Sequence, residues 1–255
     1  MIYYCKTAYA DLEFIVLKEA IFSYPRHNHI SSYTIGIVQN GALSLCSNGE
    51  KKVYKKDMSF TINPYDVHEI ESLEVYDMIV LSLKRNFLKS YELLEAQVIV
   101  GRYARILEEM EYLEESHGAL FDDILRGVYA HCDSMHEKHR TLDRIKTFLE
   151  EYPEVQIDGE HLSRYSALSK YHFIRKFDEN VGMTPHKFHI QNRVRKAKGL
   201  IENSTSMTDV GLSAGFYDQS HFIRHFKKLF QISPSSYKAA CLDLDALAKS
   251  GKKLR

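Results

Sequence analysis

The chain has 255 residues, enough for two domains with separate cores, and its 34 Lys and Arg balance 34 Asp and Glu to a formal charge of zero. Four scattered cysteines with no Cys-x-x-Cys exclude a disulfide framework or a zinc finger and suit a reducing compartment. No apolar run approaches the roughly 20 residues of a membrane span, and no basic stretch with an apolar core opens the chain, so a cytoplasmic location is expected.

Residues 10–83 read as short strands. β-rich runs at 14–17, 33–38, 42–46, 58–62 and 76–83 are punctuated by Asn40-Gly41, Asn48-Gly49 and Asn63-Pro64. Short, closely spaced strands suggest a sandwich or barrel. Within them lies Pro25-Arg26-His27-Asn28-His29, whose period-two spacing turns His27 and His29 to the same side and Arg26 to the other. His68 follows Asn63-Pro64. These rings can hydrogen-bond inside a barrel mouth, hold a metal, or line a small polar pocket. The reading adopted is an effector pocket lined by His27, His29, Tyr33 and His68, with no metal or other cofactor.

From 86 to 140 the apolar period becomes helical. Leu88, Tyr91, Leu94 and Val98, then Tyr103, Ile106, Leu107, Met110 and Leu113, mark amphipathic helices, with a break expected at His117-Gly118. Ile124, Leu125, Val128 and Tyr129 mark another. The stripe faces either the barrel or a second subunit. His131, Cys132, His136 and His139 read as a solvated polar face, and 135–140 as the interdomain connection.

The last hundred residues carry an internal repeat. His172-Phe173-Ile174-Arg175-Lys176-Phe177 returns 49 residues later as His221-Phe222-Ile223-Arg224-His225-Phe226, and Met183-Thr184-Pro185 returns as Ile232-Ser233-Pro234 in the same register. In the second copy Met207, Val210 and Leu212 suit the buried face of a short helix. Gly215 supplies a turn that accepts positive φ, and Asp218 caps a helix whose inner stripe is Phe222, Phe226, Leu229 and Phe230. Short helix, tight turn, second helix is the helix-turn-helix plan, whose second helix enters the major groove. The first copy has Leu162 on the leading helix, Ser166 at the turn and Ser169 at the cap. Between them a helix starts at Pro185, with Phe188, Ile190, Val194, Ala197, Leu200 and Ile201 as its apolar face. Its Arg193, Arg195, Lys196 and Lys198 supply positive charge.

The segment 142–242 resembles the DNA-binding domain of the AraC/XylS family of bacterial transcription regulators. The match is carried by Arg195-Lys196-Ala197, by the run from Val210 to Phe222, by Phe226-Lys227-Lys228-Leu229-Phe230 and by Ser233-Pro234-Ser235-Ser236-Tyr237. The amino-terminal half is similar to the cupin-like sensor that precedes this domain in many family members. The resemblance implies seven helices in two helix-turn-helix subdomains joined by a linker helix. It also implies base contacts from Tyr171, Ile174 and Arg175 and from Gln219, Ser220, His221 and Arg224; His172 and Ile223 complete the expected surface. Tyr171 against Ser220, and Lys170 against Gln219, imply two unlike contacts on an asymmetric operator.

Splitting the charge supports this reading. From Thr141 onward there are 19 basic and 13 acidic residues, a net of +6, while the first 140 residues hold 15 and 21, a net of −6. The expected domains are a cupin-like effector domain at 1–85, a helical dimerisation segment at 86–140, the DNA-binding domain at 141–242 and a polar tail at 243–255. The expected fold is an all-β barrel plus helices, then an all-α domain. The expected protein is not an enzyme. It is a homodimeric regulator whose partners are double-stranded DNA, RNA polymerase and a small-molecule effector. The alternatives are a metal-cupin enzyme fused to a DNA-binding module, and a regulator controlled by abundance or a protein partner.

Overall fold

The computed structural model describes residues 1–30, 32–132, 140–204 and 206–250. The strands are β1 (Ile2–Lys6), β2 (Leu12–Ala20), β3 (Tyr24–His27), β4 (Ser32–Asn40), β5 (Ala42–Ser47), β6 (Glu50–Lys55), β7 (Ser59–Ile62), β8 (His68–Ser72) and β9 (Tyr76–Lys84). Helices α1 (Arg85–Ser90), α2 (Leu93–Glu109) and α3 (Glu115–Cys132) follow. Next come α4 (Arg140–Glu151), α5 (Gly159–Tyr165), α6 (Lys170–Val181), α7 (Pro185–Ile201), α8 (Met207–Ser213), α9 (Gln219–Phe230) and α10 (Pro234–Ala239). A last strand β10 (Cys241–Asp243) and helix α11 (Leu244–Ser250) close the described chain. Two compact units result. One holds Met1–Ser23, Asn28–Met135 and Ala240–Arg255; the other holds His136–Ala239 and Tyr24–His27.

The strands form a six-stranded sheet in the order β10-β1-β2-β9-β4-β7 and a four-stranded sheet in the order β3-β8-β5-β6. Register decides what each face of the larger sheet does. Phe14 pairs with Leu81 and Leu81 with Ile35, and the neighbouring rows are Leu12–Leu83–Tyr33 and Val16–Ile79–Ile37. All nine of these side chains belong to one apolar core with Phe87, Val100, Tyr103, Leu107, Phe121 and Leu125 of α1–α3. The opposite face carries Thr34, Gly36 and Val38, because neighbours along a strand point to opposite sides. Across that face Phe60 lies over Gly36, where a Cβ would meet its ring at 2.2 Å, and reaches Tyr54 of the smaller sheet with ring centroids 5.1 Å apart.

The expected strand runs all form, whereas β1, β3, β6 and β8 were not legible. β6 (Glu-Lys-Lys-Val-Tyr-Lys) is exposed along nearly its whole length, and β3 carries a proline, which suits an edge. The helical break also moves. α2 ends at Glu109, Glu111 takes φ 64°, and the amides of Tyr112 and Leu113 both donate to the Leu107 carbonyl, so His117 and Gly118 lie inside α3. A non-glycine residue holds the left-handed position, which left no glycine for the sequence to show. Residues 135–139 of the expected connection at 135–140, and the side chains of His131, Cys132, His136 and His139, lie outside the described residues, and Arg140 opens α4.

Of the expected polar tail at 243–255, residues 243–250 are instead part of packed elements of the first unit. β10 adds to the larger sheet in parallel with β1, with Tyr4 opposite Cys241 and Cys5 opposite Leu242, and Leu244 of α11 is fully buried in the apolar core. The Asp245 carboxylate accepts from the Ala8 amide (2.7 Å), the Tyr103 hydroxyl (2.7 Å) and the Arg102 guanidinium (2.9 Å). The second compact unit therefore ends at Ala239, and residues 240–250 complete the first.

Candidate nucleic-acid interface and effector site

α4–α10 are the seven helices expected of the second unit, and α7 is its rod, about 25 Å long at 1.5 Å per residue. Thr184 caps α7 by accepting from the Lys187 amide, and Pro185 stands in its first turn. Phe177 of α6 packs against Phe188 of α7 with ring centroids 5.7 Å apart, and Phe173 packs on Phe177 at 5.8 Å. Phe222 and Phe226 of α9 pack in the same way against Phe216 and Tyr237. Each doubled hexad thus buries its two phenylalanines and leaves the rest of the helix for contact.

The two copies are not in one register. The amides of Ser166, Ala167 and Leu168 donate to the carbonyls of Leu162, Arg164 and Ser163. The amides of Ala214, Gly215 and Phe216 donate to those of Val210, Leu212 and Gly211 in the same pattern. The leading helices are therefore offset by 48 residues and the reading helices by 49. The left-handed position in the first copy is Ala167 (φ 56°), not Ser166, whereas Gly215 (φ 91°) holds it in the second as expected. Asp218 caps α9 by accepting from the His221 amide at 2.7 Å; Ser169 occupies the cap position of α6 with no side-chain cap bond. Leu212 is exposed, and Val210 with Gly211 forms the buried face of α8 instead.

On α6, Tyr171, His172 and Arg175 are exposed and Ile174 is half-buried. On α9, Gln219, Ser220 and Arg224 are exposed, while His221 and Ile223 are half-buried. Equivalent polar contacts tie each reading helix to its leader: Lys170 Nζ lies 3.9 Å from Glu160, and Thr208 Oγ1 donates to Gln219 Oε1 at 3.1 Å. Arg175 Nε stands 3.6 Å from Glu179 four residues on, where α9 has Lys228. Burial, with Arg224 nearby, holds His221 below the usual imidazole range, and burial beside His221 and Arg224 pushes His225 down to about 4. Both rings are neutral at neutral pH. Tyr217, 86% exposed just before α9, joins this surface.

The basic face expected of α7 is mostly turned to internal work. Arg193 is buried, donating from Nε to the Pro153 carbonyl (2.8 Å) and from a terminal nitrogen to the Val155 carbonyl (3.1 Å). Arg195 bonds Asn192 and Gln191, Lys196 pairs with Glu154 at 2.6 Å, and Lys198 lies over the rings of Phe230 and Tyr237.

In the sheets, one ring nitrogen from each of His27, His29 and His68 lies within 4.8 Å of the other two. His27 Nδ1 donates to the Pro25 carbonyl (2.7 Å), His68 Nδ1 donates to the Asp66 carbonyl (2.9 Å), and His29 Nδ1 meets Thr34 Oγ1 at 2.5 Å. His27 and His68 are buried and His29 is half-buried. Tyr33 is not brought to this group. The β4–β9 register turns it to the helix-packed face, fully buried, and Thr34 stands beside the histidines in its place. The rings can bind a polar ligand or, as three neutral imidazoles, a transition metal.

Residues 10–141 match the family described as the AraC-like ligand binding domain, and residues 162–240 match the Helix-turn-helix domain family. The chain is 25% identical over 223 residues to the HTH-type transcriptional regulator YbfI of Bacillus subtilis, covering 78% of this chain and 81% of that one. It is 30% identical over 98 residues to the MmsAB operon regulatory protein of Pseudomonas aeruginosa, covering 38% of this chain and 32% of that one. Among solved structures, apo ToxT of Vibrio cholerae shares the fold with a TM-score of 0.60 at 14% identity, over 92% of this chain and 99% of that one. No helix among the described residues is long and apolar enough to cross a membrane. The chain belongs to the AraC family: it is a helix-turn-helix DNA-binding transcription regulator with an AraC-like ligand-binding domain.

Proposed function

We propose that α6 and α9 read two successive major-groove segments of an asymmetric operator, through Tyr171, His172, Ile174 and Arg175 and through Gln219, Ser220, His221, Ile223 and Arg224. The observation that carries this reading is the repeated burial of two phenylalanines under each helix, which leaves unlike polar residues exposed on top. Arg can take guanine and Gln adenine in two-bond contacts, and Ile offers only a methyl-side surface. A small effector among His27, His29, Thr34 and His68 shifts DNA binding by favouring one state of the protein over another. An unsaturated fatty acid occupies one ToxT structure; three imidazoles suit a more polar ligand here.

Leu94 and Val98, 76% and 73% exposed on one face of α2, support homodimerisation through that helix. The working setting is the cytoplasm, the downstream partner is RNA polymerase, and the protein performs no catalysis. Among the described residues the histidine group includes no carboxylate, which weighs against a metal-cupin enzyme.

Fluorescence anisotropy of the full chain with DNA from upstream of its own gene tests the reading. Tight, salt-dependent binding with discrimination against unrelated duplex is expected. Equal affinity for both duplexes removes sequence-specific readout.

A further inference from the structure

The geometry points to Asp57, Glu114 and His117 as a binding site for a divalent transition-metal ion of the zinc class. The three residues belong to the first unit and share no member with the proposed effector pocket.

His117 stands in the first turn of α3, 2% exposed, and its Nδ1 has no hydrogen-bond partner among the described residues. Buried polar groups are nearly always paired, so a buried ring with one idle nitrogen calls for an explanation. The other nitrogen, Nε2, is aimed outward and lies 2.9 Å from Oδ1 of Asp57, whose side chain is 61% exposed. One ligand atom from each of Asp57, Glu114 and His117 lies within 4.8 Å of the other two.

Two neighbouring residues of β4 hold both carboxylate-bearing segments. The Val38 carbonyl accepts from the Asp57 amide at 2.8 Å. Gln39, which is buried, accepts from the Glu114 amide at 3.0 Å and donates to the Tyr112 carbonyl at 2.9 Å. The β6–β7 turn and the corner between α2 and α3 are thus fastened to one strand before any ion arrives, which prepares the ligand set.

Distances and charge fit such an ion. A tetrahedral ion roughly 2.0–2.1 Å from each ligand separates the ligand atoms by about 3.3 Å. The 2.9 Å pair need open only slightly, and the half-exposed Glu114 side chain swings in to close the set. Two carboxylates cancel the charge of a divalent ion, and the imidazole favours zinc, cobalt or nickel over calcium and magnesium, which prefer oxygen alone. Lys56 Nζ, 3.1 Å from Glu114 Oε1, is the cation that the metal displaces. The ring proton moves to Nδ1, where no acceptor waits. Both costs hold the affinity below that of a structural zinc site, so the ion exchanges with its surroundings.

The test uses the full chain purified without an affinity tag and stripped with chelator. Titration with Co(II) and Zn(II) is followed by visible absorption and calorimetry, and each variant is compared with the parent so that an ion held elsewhere cancels. Asp57→Asn and Glu114→Gln, both at exposed positions, should each weaken binding by at least about tenfold while the metal-free melting temperature stays near the parent's. Lys56→Gln removes the competing cation and should tighten binding about two- to fivefold. Lys51→Gln, which releases Glu71 in the same way on β6, is the charge-matched control and should leave it unchanged. A parent that binds neither ion, or binding equal in the parent, Asp57→Asn and Glu114→Gln, overturns the site. Equal tightening in Lys56→Gln and Lys51→Gln removes Glu114 from the ligand set.

Discussion

Gly215 lies against the backbone of Glu154: a Cβ at 215 would meet Glu154 Cα at 2.6 Å and its carbonyl oxygen at 2.8 Å. Glu154 is itself held by Lys196, and the flanking carbonyls of Pro153 and Val155 by Arg193. The turn before α9 is therefore packed on a loop pinned to the linker helix. Gly215→Ala meets both φ 91° and this contact and should cost about 2–4 kcal/mol. Ala167→Gly, at φ 56° in the first copy, should stay within about 1 kcal/mol of the parent. Urea melts of the two variants provide the comparison, and equal loss at both sites would remove the packing argument.

The reading arginines should differ in weight. Arg175→Ala and Arg224→Ala should each cost about 1–3 kcal/mol of operator binding and relax specificity at one position. Glu179 draws on Arg175, whereas Lys228 stands at the matching place in α9, so Arg224→Ala should cost more. Glu179→Gln should tighten binding by about twofold. Anisotropy at fixed salt measures all three, and an unaffected Arg224→Ala would displace α9 as a reading helix.

Stability should fall in mild acid. Burial, with Arg193 and His186 beside it, lowers His189 on α7 from an ordinary value near 6.5 to about 4. A ring with a depressed folded pKa contributes stability that is present above pH 6.5 and is lost as the pH falls toward 4, since the unfolded chain takes the proton first. The melting temperature should drop by several degrees between pH 7 and pH 5. His189→Gln should reduce that slope, the depressed His225 supplying a further part, and an unchanged slope would assign the titration elsewhere.

If α2 is the subunit contact, Leu94→Glu with Val98→Glu should shift the sedimentation coefficient to that of a monomer. Thermal stability should move little, because both side chains are already mostly in water. A parent chain that sediments as a monomer ends this assignment.

Asp245→Ala removes the acceptor for Ala8, Tyr103 and Arg102 and should destabilise the first unit by about 1–3 kcal/mol. Hydrogen exchange of β1, which should speed up as β10 frays, gives a local readout independent of the global melt.

Much of the second unit was legible because its signals are local. Phenylalanines four residues apart, Asp218 at a cap, Pro185 in a first turn and Gly215 in a turn each act within a few residues of themselves. The β-rich runs of the first unit were legible through residue type, while the exposed β6 and the proline-bearing β3 carried no such pattern. The single-residue shift between 48 and 49 was hidden, because Ala167 accepts a left-handed backbone without announcing it.

The sequence by itself determined the doubled reading helix, its inner and outer faces, and the family. Tertiary structure alone decided the rest. Strand pairing with β9 turned Tyr33 to the helices and Thr34 to the histidines, a choice that one residue of register reverses. Packing of α7 on the loop after α4 drew Arg193 and Lys196 away from the surface. Residues 241–250 returned to a sheet begun at Ile2, and His27, His29 and His68 met across forty residues of chain. These contacts join segments that share no local pattern, so nothing short of the folded chain states them.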